Sequence, residues 1–290
     1  MKNYLLLGLL LLSILSNSKA QEANVAFKVL EYHYKYNKNI HLNANCELAD
    51  LEFTHSNGTE VYIKCTYSAR HADKSIATQE LSRHQILVRK TLNDILLSNY
   101  FTINSGETEP KAKLRIKFEI ALPDGITVDI HNNFGSVSII NVPIKGTITQ
   151  DYGKVLLQKV AAPLVIKGQL TLMNIQDMSG NLEVKNKSGD ISIVRYTGSS
   201  LKLTNANANV TIDQIANTTQ VQLTLSHGEL LMKNMDYNQH ELQIESYKIP
   251  IVARKDIAPI DYKGDYYRIS KSRPLPLLKI TSTYTKIQLL

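Results

Sequence analysis

From Phe134 to Met235 the chain repeats one pattern of apolar and polar positions six times: a glycine, once an alanine, followed by apolar residues two, four and seven positions on. The copies read Gly135 with Val137, Ile139 and Val142; Gly153 with Val155, Leu157 and Val160; and Gly168 with Leu170, Leu172 and Ile175. They continue as Gly189 with Ile191, Ile193 and Tyr196; Ala208 with Val210, Ile212 and Ile215; and Gly228 with Leu230, Met232 and Met235. A second apolar pair precedes most anchors, as in Val128 and Ile130, Leu182 and Val184, Leu201 and Leu203, and Val221 and Leu223. Alternation over such short runs makes strands with one buried face, since successive side chains point to opposite sides. Anchors 18, 15, 21, 19 and 20 residues apart are too close for helical repeats and suit coils of short strands. The pattern predicts an all-β fold, a single-stranded parallel β-solenoid with coils of about 15–21 residues. Stacking would place Val137, Val155, Leu170, Ile191, Val210 and Leu230 in one inward column. The anchor glycines are expected at corners, where positive φ is cheap only for glycine. Ala208 departs from that rule, among Asn205, Asn207 and Asn209, which tolerate tight turns.

Leu278, Ile280, Ser282, Thr285, Ile287 and Leu289 match the same offsets, with Thr285 in the glycine place, so the chain is expected to end as a last coil. Between 236 and 277 the pattern is lost in a stretch holding Tyr262, Tyr266, Tyr267, Pro274 and Pro276, read as an irregular insertion or cap. Residues 21–120 form a strand-rich but degenerate N-terminal part, with room for a short helix within 77–98, and 121–290 the regular part. Residues 1–20 read as a signal peptide. Lys2 is the basic start, Leu5 to Leu15 the apolar core, and Ser18 and Ala20 the small residues that place cleavage before Gln21. No cysteine follows the apolar run, so no lipid anchor is indicated, and no other segment reaches membrane-spanning length.

Without the leader the charge falls from +7 to a mild excess of spread lysines and arginines. Such a surface does not suggest a nucleic-acid partner, and charge alone leaves an anionic envelope glycan open. Cys46 and Cys65 are the two cysteines. In an exported chain they are expected to form a disulfide, the alternative being two unpaired core thiols.

Phe27 to Leu42 with its tyrosines, the phrase LRIKFEIALPDG before the regular part, the glycine-anchored coils and the closing KITSTYTKIQL together resemble the bacterial putative-adhesin domain of unknown function. This adhesin-like β-solenoid family occurs in exported proteins of Gram-negative bacteria. The resemblance covers most of residues 25–290. It implies an exported parallel β-solenoid, in the periplasm or at the cell surface, with no assigned activity.

The outward positions carry little candidate chemistry. Asp190 and Glu229 stand two coils apart and read as solvated surface charges rather than a catalytic pair. The eight histidines lack metal-ligand spacing, and no phosphate loop, dinucleotide fingerprint or nucleophile elbow occurs. Neither a cofactor nor a metal is expected. Asn132, Gln150, Asn186 and Asn205 form a column whose amides could bond along the axis. His131, Thr149, Lys185, Thr204, Thr224 and Thr281 form a second, outward column able to meet a glycan. The expected function is a non-enzymatic exported adhesin-like scaffold or binding protein of the envelope, its partner an envelope protein or glycan. The alternatives are a carbohydrate-active β-helix enzyme, a lyase or glycosidase, and an envelope signalling partner.

Overall fold

The computed structural model describes residues 23–37, 40–103, 106, 109–255, 257, 260–272 and 274–290. The expected leader and its Ala20–Gln21 cleavage site lie outside them. The N-terminal part supplies β1 (Asn24–Lys35), β2 (His41–Glu47), β3 (Ala49–His55), β4 (Glu60–His71), helix α1 (Lys74–Ser82), β5 (His84–Lys90), β6 (Asp94–Phe101) and β7 (Lys113–Leu122). The patterned region supplies β8 (Thr127–Ile140), β9 (Lys145–Gln158), β10 (Leu164–Gln176), β11 (Leu182–Lys187), β12 (Ile191–Tyr196), β13 (Ser200–Ala206), β14 (Val210–Ile215) and β15 (Gln220–Lys233). The C-terminal part adds β16 (Glu241–Tyr247), β17 (Ile251–Ala253), β18 (Asp261–Lys263), β19 (Tyr266–Lys271) and β20 (Leu277–Leu289). Asp73 caps α1 through its carboxylate, which accepts from the Ser75 N–H at 2.7 Å.

Strands account for 68% of the structure and helix for 5%. The patterned strands stack in parallel and in register, Val137 on Val155, Val155 on Met173, Met173 on Ile191, Ile191 on Val210 and Val210 on Leu230. Those side chains are all buried, and with their neighbours they form one continuous core.

The expected single-stranded solenoid is not what the hydrogen bonds build. β10 and β15 run unbroken round a corner and pair with strands of both faces, whereas the intervening tiers are split into β11 with β12 and β13 with β14. The six strands β10, β11, β13, β15, β14 and β12 therefore close into a ring, a parallel β-barrel with fourteen strands outside it.

One tier is displaced from its expected register. Gly168 is not its corner: β10 turns at Leu170–Thr171, and Thr171 stands in line with Gly153 and one tier below Gly189. Leu170 and Leu172, expected inside, are 50% and 48% exposed, while Thr171 is fully buried and Met173 and Ile175 fill the core. Thr171 manages this because its hydroxyl donates to the Gln150 carbonyl at 2.6 Å.

The corners also carry their strain one residue earlier than expected. Leu48, Phe134, Tyr152, Leu170, Ser188, Asn207, His227 and Tyr284, each preceding a corner residue, hold φ between 52° and 64°. Glycine is needed next to them for close approach, and at Gly189 and Gly228 for a positive φ as well, 122° and 157°. A Cβ on Gly135 would lie 2.1 Å from the Ala49 carbonyl oxygen of the tier beneath.

Neither end follows chain order. β2 and β3 pair with β8 to form the tier before the patterned region, and β6 and β7 lie beyond them. β20 inserts between β15 and the pair β16 and β17, so the end of the chain is not the last tier. The stretch read as an irregular insertion holds β16 to β19, with β19 antiparallel to β16. No helix among the described residues is long and apolar enough to cross a membrane.

Candidate functional site

Between successive tiers the outward side chains of one face form a groove of about 580 Å³. Its floor and walls come from β9, β10, β12 and β14: Lys154 and Leu156, then Leu172 and Asn174, then Asp190 and Ser192, with Asn209 and Thr211 at the far side. Parallel pairing sets Lys154 beside Leu172, Leu156 beside Asn174, Asn174 beside Ser192 and Ser192 beside Thr211. Paired strands lie about 4.8 Å apart, so the groove presents amide and hydroxyl groups at that interval beside a half-exposed leucine. Apolar surface flanked by fixed hydrogen-bonding groups is the chemistry of a small polar ligand site.

Most of this face follows from the sequence alternation. With positions two and four after Gly153, Gly189 and Ala208 inward, Lys154, Leu156, Asp190, Ser192, Asn209 and Thr211 fall outward by alternation, as observed, whereas a corner at Gly168 would put Leu172 inside. The clue was the spacing. Anchors 15 and 21 residues apart average 18, and with Thr171 as the corner the spacings from Gly135 become 18, 18, 18, 19 and 20.

Asp190 accepts from the Asn209 N–H at 2.9 Å, and Glu229 pairs with Lys286 at 3.1 Å. Each carboxylate thus ties its own tier to the next. Arg195 grips Asp177 in a bidentate pair at 2.6 and 2.9 Å, which holds the Asp177 carboxyl below the usual carboxylate range. Lys185 lowers Glu183 in the same way, first through a hydrogen bond.

The amide column is buried and bonded. The Asn132 Nδ2 donates to the Ala49 carbonyl at 3.0 Å and to Gln150 Oε1 at 2.9 Å, and Asn186 Nδ2 to the carbonyls of Thr171 and Gly189. Gly168 occupies the gap in that column, where a Cβ would lie 2.4 Å from Asn186 Oδ1. Asn205 Nδ2 reaches the Ala208 carbonyl at 3.3 Å. The outward threonine column exists in register, Thr149, Lys185, Thr204, Thr224 and Thr281 lying on one face, with Lys167 as an unforeseen member. His131 pairs with Asp129 at 3.8 Å and His227 stacks on Tyr284 at 5.1 Å, so the two histidines are not neighbours.

Cys46 and Cys65, expected to be bridged, are free and buried. Cys46 lies on β2, which pairs with β6 and β8, and Cys65 on β4, which pairs with β1 and β7. The strands are not partners. Burial pushes both thiols up to about 12, which leaves them as core residues rather than reactive groups.

No family model matches the chain, and no curated protein matches it. Among solved structures, a putative cell adhesion protein from Clostridium sporogenes ATCC 15579 is 11% identical, with 92% of this chain and 97% of that chain covered at a TM-score of 0.25. A putative adhesin from Parabacteroides merdae ATCC 43184 is 11% identical over 91% and 96%, at a TM-score of 0.31. Another from Parabacteroides distasonis ATCC 8503 is 12% identical over 90% and 96%, at 0.25.

Proposed function

We propose that the chain is a non-enzymatic, exported binding protein of the bacterial envelope, adhesin-like, and that the groove over β9, β10, β12 and β14 takes a glycan. The observation that supports this reading is the exposed Leu172 set among Lys154, Asn174, Asp190 and Ser192 on a rigid, hydrogen-bonded surface. A sugar ring offers an apolar face and a rim of hydroxyls, which such a surface can meet without rearranging. Asp190 and Glu229, each engaged by a neighbouring tier, fit a binding surface in this reading.

The test is an array of neutral and acidic bacterial oligosaccharides probed with the protein from Gln21 to Leu290, followed by titration of each hit. Binding is expected to weaken at least tenfold in Leu172→Asp and in Asn174→Lys, with unchanged melting temperature. Absence of any hit, or hits indifferent to both variants, overturns the assignment.

A further inference from the structure

β1 is the outermost strand of the sheet β3, β7, β4, β1. It pairs antiparallel with β4 over all twelve residues, and among the described residues its other edge has no strand partner. A row of unpaired N–H and C=O groups is a template for another strand, and chains usually blunt it with short length, charge, proline or a bulge. β1 is long, and its first half does the opposite. Val25, Phe27 and Val29, on the face away from the core, are 56%, 68% and 41% exposed.

The rest of that face is polar. Opposite the three stand Arg70, Ser68 and Thr66 of β4, and beyond them Lys64, Glu119, Lys117 and Glu52 are linked by ion pairs across β4, β7 and β3. The apolar row is therefore confined to the free edge, where only an added strand would cover it. Its pattern is symmetric, since Val25 and Val29 are each two residues from Phe27. An antiparallel pair of β1 strands about a two-fold axis at Phe27 sets Phe27 against its symmetry mate and each Val25 against a Val29, giving six apolar side chains on one face. The same register places Lys28 opposite Ala26, and no like charges meet. A two-fold at Lys28 would oppose two ammonium groups, and one at Val29 would set Phe27 against Glu31.

We infer that two copies of this chain associate through antiparallel pairing of their β1 strands, centred on Phe27. The sheet then runs without a break from one copy into the other. Phe27 is exposed in the single chain, so its replacement leaves the fold intact.

Sedimentation equilibrium of the protein from Gln21 to Leu290 is expected to show a dimer that dissociates on dilution. Phe27→Asp, which brings two carboxylates face to face, should weaken it at least tenfold with the melting temperature unchanged. Under mild oxidation Phe27→Cys should form a covalent dimer readily and Glu31→Cys should not; Cys46 and Cys65 are buried and do not compete. A monomer at all concentrations overturns the proposal. So does a dimer indifferent to Phe27→Asp, or one in which Glu31→Cys links as fast as Phe27→Cys.

Discussion

Leu172 and Thr171 exchange the places their chemistry suggests: the leucine faces water and the threonine faces the core. The threonine is tolerated because its hydroxyl is bonded to the Gln150 carbonyl, which removes the penalty of burying a bare polar group. Lysine substitution should expose this inversion. Thr171→Lys is expected to destabilise by about 3 kcal/mol or more, and Leu172→Lys to stay within about 0.5 kcal/mol. One tier on, the relation is the ordinary one. Ile193, buried between Ile175 and Ile212, should tolerate lysine as badly as Thr171 does, and the outward Ser192 as well as Leu172 does. Urea melts of the four variants decide the matter, and equal effects at Thr171 and Leu172 would reject the register. The amide column was legible in the sequence because its members recur at one offset from the anchors, whereas the free state of Cys46 and Cys65 was not, because it depends on which strands lie side by side.

At the scale of elements, α1 and β5 form the least regular part of the N-terminal half. His84 opens β5 and is 7% exposed, against the rings of Tyr67 and Phe101 at 5.8 and 5.2 Å, with neither ring nitrogen hydrogen-bonded. Burial lowers its pKa from the ordinary 6.5, and the nearby Glu80 opposes that only in part. A depressed folded pKa means that the unfolded chain binds the proton more readily. The stability His84 contributes is present above pH 6.5 and is lost as pH falls through the folded value. Amide protection in α1 and β5 should therefore fall from pH 7 toward pH 5 by hydrogen exchange, and His84→Leu should flatten that dependence. An unchanged slope in the variant would place the acid sensitivity elsewhere.

For the whole molecule, β20 is the piece on which the C-terminal half depends. It pairs with β15 along one edge and with β16 and β17 along the other, and buries Leu278, Ile280, Ile287 and Leu289. Removing residues 277–290 should uncover Leu223 and Leu230 and detach β16 to β19 from the stack. The truncated protein is expected to lose cooperative unfolding and to aggregate, as read by calorimetry and light scattering; a sharp transition close to that of the full chain would show that β20 is dispensable. Tiers are coupled through their neighbours, so such a loss should spread inward to β15.

The sequence by itself determined that the chain is all-β, that apolar residues two apart face a common core, and that tiers follow one another at about 18 residues between Phe134 and Met235. These are local properties, carried by side-chain alternation and by the spacing of corners. Tertiary structure alone decided that β2 and β3 lie under β8, that β20 enters between β15 and β16, that β10 and β15 turn the corner unbroken and close the six-stranded ring, and that β1 is left with a free edge. Those arrangements are made by backbone hydrogen bonds between strands far apart in the chain. Every residue but proline offers the same N–H and C=O, so the side-chain pattern says which face is inward and not which strand lies alongside.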